Sequence, residues 1–202
     1  MRVEKFLLGI AVTITSSVSF AQNDYAQFTD EGSLVRPQDY REWIFAGTAT
    51  TPKIVNNDVL FPDFQNIYID PDSYKAWKET GTFPEGTIMV KEILDLGLTN
   101  SPVGKGFYQG DFRTLSAAVK SKVRYPDTVG NWNYFSFVNK KDKKLNKTAK
   151  PLGSRCSGCH EANAPEGGAF YNYFSVLRDS RGIGKNSAEN SDFREGLSKL
   201  KL

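Results

Sequence analysis

Histidine, cysteine and methionine are almost absent from this 202-residue chain, which holds one His, two Cys and two Met. Each scarcity excludes something. A structural zinc site wants four Cys or His ligands, and only three are available. Ligation of a metal centre by two histidines is impossible with His160 alone. Beyond the N-terminus no apolar run is long enough to span a bilayer, and no internal repeat is present. The formal net charge of +3 is too small for the basic footprint of a nucleic-acid binder.

The cysteines and the histidine stand together. Cys156-Ser157-Gly158-Cys159-His160 uses both cysteines and the only histidine, in the attachment pattern of c-type haem. The spacing suits the chemistry. Each thiol adds to one porphyrin vinyl group, and the adjacent imidazole reaches the iron. A thioredoxin-like pair would place its two cysteines early, after a strand, and would not need His160. A plain disulfide between Cys156 and Cys159 is the remaining alternative.

The N-terminus points to the same compartment. Arg2 and Lys5 precede the apolar run Phe6 to Val12, and Ser19-Phe20-Ala21 is a small-residue cleavage pattern. Residues 1–21 are therefore expected to be a secretory signal cut near Ala21, and the compartment to be the periplasm. Residues 22–202 remain as a single haem domain, roughly 180 residues and enough for a substantial core.

The elements suggest an α+β fold, a mostly antiparallel sheet with flanking helices. Residues 22–38 read as a polar leader. Trp43 to Thr48 reads as a short helix running into a strand, and Val55 to Asp70 as a strand strongest at Ile67-Tyr68-Ile69. Asp70-Pro71 has helix-start chemistry and Gly81 stops that helix. Gly86 to Leu96 and Asn131 to Val138 read as strands. Gly106 to Val123 is ambiguous between strand and helix, and Ala169 to Arg178 reads as a helix. Lys140, Lys141, Lys143, Lys144, Lys147 and Lys150 form a basic run, either a solvated loop or a docking patch for an acidic redox partner.

The far face of the iron is poorly supplied. Met89 is the only methionine besides the initiator, and core packing on a strand is the ordinary role of such a residue. A five-coordinate haem with an open position follows, which favours catalysis or gas binding over plain electron carriage. On a strand Met89 and Lys91 share a face. Lys91 is either a solvent-facing strand lysine or a desolvated, nucleophilic amine near the haem. Periodicity does not choose between these.

In order and spacing, several segments together resemble the cytochrome P-460 family and the related cytochrome c′-beta group. They are Tyr40-Arg41-Glu42-Trp43, Ile67-Tyr68-Ile69-Asp70-Pro71-Asp72-Ser73-Tyr74, Thr80-Gly81-Thr82-Phe83, Val90-Lys91-Glu92, Gly130-Asn131-Trp132 and Cys156 to Glu161. The resemblance implies a mostly antiparallel β fold, a homodimer, and one covalent haem c with His160 on the iron. It also implies a bond between Lys91 and the porphyrin, and oxidation of hydroxylamine to nitrous oxide or nitric oxide. Electrons would pass to a small redox protein. The c′-beta relatives lack the lysine bond and bind nitric oxide in an apolar pocket. Phe61, seven residues before Tyr68, resembles the family's distal phenylalanine, though core packing explains an aromatic there nearly as well. One departure stands out. Active members take a distal carboxylate from the stretch leading into the haem motif, and Lys143 to Arg155 contains no acid. Asp142 is the nearest substitute.

Overall fold

Five antiparallel strands make the main sheet, in the order β2-β3-β4-β7-β8. The computed structural model describes residues 24–97, 99–139, 141–164 and 168–180. The expected signal at 1–21, Lys140 and the tail after Ser180 lie outside the described residues. In chain order the strands are β1 (Leu34–Val35), β2 (Ile44–Thr50), β3 (Phe64–Ile69), β4 (Ile88–Leu96), β5 (Asn100–Ser101), β6 (Gly104–Lys105), β7 (Gln109–Lys120), β8 (Trp132–Ser136) and β9 (Thr148–Ala149). The helices are α1 (Pro71–Thr80), α2 (Ser154–Asn163) and α3 (Ser175–Ser180). The architecture is α+β, as the strand pattern predicts.

Two buried faces explain the sheet's sequence. In β4 and β7, Ile88, Val90, Leu115, Ala117 and Val119 point to one side, where Leu34, Tyr40, Phe135 and Phe137 complete a core. The alternate residues point to the other side, where Trp77 of α1, Tyr171 and Leu177 of α3 pack over Ile69 and Met89. A third cluster on that second side gathers Trp132, Tyr134 and Ala169, with Met89, Ala118 and Cys156 against them. Burying a side chain such as Trp77 in this way contributes about 2–3 kcal/mol. Its indole Nε1 also donates to the Leu177 carbonyl at 2.8 Å, tying α3 to α1.

Helix α1 begins and ends as its sequence dictates. Asp70 caps it by accepting from the Ser73 N–H at 2.7 Å, and its other oxygen accepts from the Ile88 N–H at 3.0 Å. One buried carboxylate thus joins the helix start to the start of β4. Gly81 closes the helix in the left-handed region, φ 71°.

Several expectations need correction. The segment expected as a leader is part of the core: Ala26 and Leu34 are buried, and β1 pairs with β9. The strand expected from Val55 begins only at Phe64. Asn56, Asn57 and Asp58 are turn-formers and Pro62 lacks an N–H, so residues 51–63 form a loop. Residues 109–120 are one strand despite a helix-prone Leu-Ser-Ala-Ala run, because burial on both faces outweighs local propensity. The helix expected over Ala169 to Arg178 is a turn at Tyr171–Tyr173 followed by α3.

Candidate haem site

The second face of the sheet carries the site. Register places Ile67, Lys91, Ser116 and Ser136 in one cross-strand row, and Ile69, Met89, Ala118 and Tyr134 in the next. Beside Lys91, across β7 and β8, the side chains are therefore small hydroxyls. Met89 shares the Lys91 face, as a strand requires, and packs into both clusters on that side.

Phe61 and Lys91 meet directly. The Lys91 Nζ lies 3.3 Å from the centroid of the Phe61 ring, a cation–π contact while the amine is protonated. Phe61 is held by its carbonyl, which accepts from Thr51 Oγ1 at 2.8 Å and Gln65 Nε2 at 2.9 Å. Asp63 clasps the same loop, accepting from the Lys53 N–H at 2.8 Å and the Leu96 N–H at 2.9 Å. Burial pushes the pKa of Lys91 down to about 8, against an opposing pull from the thiols of Cys156 and Cys159. Lys91 is half-buried on this face beneath the Phe61 ring.

The motif itself forms α2, an element that sequence reading did not anticipate. Gly153 precedes it at φ 63° and ψ −151°, a conformation open only to glycine. Cys156 and Cys159 are both free thiols three residues apart, one helical turn, so they lie on the same side of α2. No disulfide joins them. Among the described residues no group of three or more His, Cys, Asp or Glu is arranged to hold a metal ion.

His160 is oriented by the segment that follows. Its Nδ1 lies 2.6 Å from the Gly168 carbonyl, which also accepts from the Tyr134 hydroxyl at 3.0 Å. The imidazole sits between rings, with centroids 4.1 Å from Tyr134 and 4.7 Å from Phe170. Burial first, and the nearby Lys91 charge second, lower the His160 pKa despite the Gly168 bond. The neutral form is favoured, with Nδ1–H donating to Gly168 and Nε2 left with its lone pair. Sequence reading missed Tyr134 and Gly168. Gly168 adopts φ 101°, and a Cβ there would lie 3.3 Å from the Tyr134 hydroxyl oxygen. The Gly167-Gly168 pair was the only local hint.

Two thiols on one helical side, an oriented neutral imidazole and a sheet face kept open at Ser116, Ser136 and Ala118 fit a haem. A family model described as Cytochrome P460 matches residues 37–170, about two thirds of the chain. The chain belongs to the cytochrome P460 family. No curated protein matches it. As a member of the cytochrome P460 family it is a haem protein, and the matched region includes all five candidate residues, Phe61, Lys91, Cys156, Cys159 and His160.

The family segments acquire physical roles on the opposite face of β4. Glu92 is buried there and accepts from the Tyr40 hydroxyl at 2.8 Å, from Arg41 Nε at 2.9 Å and Nη2, and from Asn66 Nδ2 at 3.1 Å. Tyr40-Arg41 and Lys91-Glu92 are thus two ends of one network. It pins the strand that presents Lys91.

Proposed function

We propose that this protein is an exported c-type haem enzyme that oxidises hydroxylamine, to nitrous oxide or nitric oxide, at a five-coordinate haem joined to Lys91. The observation that carries the reading is the desolvated Lys91 amine, held under Phe61 and within electrostatic range of both attachment thiols. When bound, haem supplies an electron-accepting centre with an open coordination position. Cys156 and Cys159 would anchor a haem by thioether bonds, and His160 would offer Nε2 to its iron. Gly168 holds the Nδ1 proton and fixes the ring. Lys91 has an amine whose neutral fraction is about a tenth at pH 7, which would be the nucleophile towards the porphyrin. Exchanging a ring C–H bond for the new C–N bond also releases two protons and two electrons, which an oxidant of the peroxide class would take up. Phe61 excludes water from that amine. Met89 packs into both clusters on this side and would not serve as a ligand to the haem.

The compartment proposed is the periplasm, after cleavage of residues 1–21, with a small redox protein as electron acceptor and a homodimer as the assembly. Neither nucleic acid nor membrane is proposed as a partner. No described helix is long and apolar enough to cross a bilayer.

A second reading is a cytochrome c′-beta-like protein that binds nitric oxide without turnover. One observation favours it. Asp142, the nearest acid before the haem motif, is exposed and its carboxylate accepts the Lys144 N–H at 3.0 Å. The visible spectrum of the ferrous holoprotein separates the readings. A main band well to the red of ordinary haem c is expected from the Lys91 bond. An ordinary high-spin haem c spectrum would give the lead to nitric oxide binding.

A further inference from the structure

Thr114 carries a hydroxyl that none of the described residues engages. Its Oγ1 is buried and makes no hydrogen bond with any of the described residues. Two other side-chain atoms share that condition among the described residues: Ser73 Oγ in helix α1 and Asn172 Oδ1 in the turn before α3. Only Thr114 stands on the sheet, and it stands on the haem-facing side. Thr114 pairs with Ile93, and Ser116, two residues on, pairs with Lys91. The flanking Leu115 belongs to the opposite core. Thr114 is thus the diagonal neighbour of Lys91, roughly 7 Å away between backbone positions.

A buried donor left without a partner destabilises a fold, and valine would fill the same space on a strand without that cost. An orphan hydroxyl beside a ligand site is accounted for when a ligand supplies its partner. The surroundings define that ligand. Ile93 and Ile67 line this part of the face, Phe61 covers Lys91, and no described cation bonds to Thr114. A haem carboxylate would be poorly solvated there. A small neutral molecule with an oxygen acceptor fits.

We propose that the Thr114 hydroxyl donates a hydrogen bond to the small molecule held on the open side of the haem, making Thr114 a ligand-positioning residue. This rests on the haem site proposed above, but not on hydroxylamine turnover. The two are therefore tested apart, with carbon monoxide and nitric oxide as probes of the ferrous holoprotein.

The variants are Thr114→Val, which removes only the hydroxyl, and Thr114→Ser, which keeps it. For Thr114→Val, the infrared C–O stretch of the carbon monoxide complex should move to higher wavenumber. Nitric oxide should dissociate about fivefold to tenfold faster, the loss of one hydrogen bond. The ligand-free ferrous protein should melt about 2–6 °C higher, because an unsatisfied buried donor has been removed. Thr114→Ser should restore the wild-type stretch. Three results overturn the proposal. A lower melting temperature in Thr114→Val would mean that the hydroxyl bonds within the protein. An unchanged stretch with an altered haem potential would mean that it bonds a propionate. Unchanged stretch, dissociation and melting together would mean that it holds only an adventitious water.

Discussion

Lys91 Nζ sits 3.3 Å from the centre of the Phe61 ring, so one aromatic side chain both shelters the amine and partly stabilises its charge. Burial as a whole lowers the pKa to about 8, and Phe61 is part of that burial. Replacing Phe61 with Ala admits water and lets the pKa recover towards the ordinary lysine value. Each unit of recovery removes about nine tenths of the neutral amine at pH 7. Joining of Lys91 to the porphyrin should slow about tenfold or more, read from the red-shifted ferrous band and by mass spectrometry of the haem peptide. Unchanged kinetics of joining would mean that Phe61 does not control the amine.

The same pKa sets a pH dependence. Neutral amine accumulates as pH rises through about 8, so the rate of Lys91 bond formation in newly loaded protein should rise and then level off above that value. Stability of the unjoined protein follows the same group. Between about pH 8 and pH 10.5 the unfolded chain holds more protons at this lysine than the folded one does. Stability should therefore increase with pH across that window, by at most about 3 kcal/mol. Lys91→Met should abolish both the bond and this contribution to the slope. Urea midpoints between pH 7.5 and 10.5 would measure it.

How much of this was legible beforehand varies from residue to residue. The attachment motif needs only local spacing, and the Asp70-Pro71 to Gly81 helix carries its own start and stop chemistry. Met89 and Lys91 share a face because strand geometry allows nothing else. The state of Lys91 could not be read, because its surroundings come from Phe61, thirty positions upstream, and from the thiols of α2, more than sixty downstream. Gly168 and Tyr134 were hidden for a similar reason. Their value lies in meeting His160 in space, and neither carries chemistry of its own. The strand at 109–120 was ambiguous because Ala and Ser suit a helix, and only burial on both faces decides against it.

Gly168 gives the most direct test of His160 orientation. Its φ of 101° strains any side chain, and the added methyl of Gly168→Ala would press on the Tyr134 hydroxyl. The carbonyl that holds His160 Nδ1 would move with it. Gly168→Ala should lower haem incorporation, and its remaining haem should show altered axial-ligand spectra, with a stability loss of about 1–3 kcal/mol. Tyr134→Phe removes a single donor to the same carbonyl and should be milder, about 1 kcal/mol. Equal effects in the two variants would argue that packing alone, and not the position of the carbonyl, holds the imidazole.

Glu92 should make the protein sensitive to acid. Burial raises its pKa, but the hydrogen bonds from Arg41, Asn66 and Tyr40 outweigh burial and leave it below the ordinary glutamate value. Its contribution is then complete above about pH 4.5 and is lost as pH falls through the lowered folded value. Glu92→Gln keeps the shape but loses the charge that Arg41 matches, so about 1–3 kcal/mol should disappear at pH 7. The difference from wild type should shrink below pH 4. A difference that persists unchanged into acid would show that the carboxylate charge contributes nothing.

The lysines before the haem motif bear on electron transfer. Lys141, Lys143, Lys144, Lys147 and Lys150 are all exposed, with Asp142 the one acid among them. Exposed like charges add nothing to stability, so their removal should leave the melting temperature within about 2 °C. A concentrated positive field does attract an acidic partner, and it weakens as salt shortens the screening length from about 10 Å at 0.1 M to about 3 Å at 1 M. Reversing Lys143 and Lys147 to Glu should slow reduction of an acidic acceptor protein about tenfold or more at low salt. At 1 M salt the variant and the wild type should converge. Reduction of a small uncharged oxidant should be the same in both. If the acidic acceptor were reduced equally fast by both proteins at low salt, the run would be a solvated loop and the acceptor would dock elsewhere.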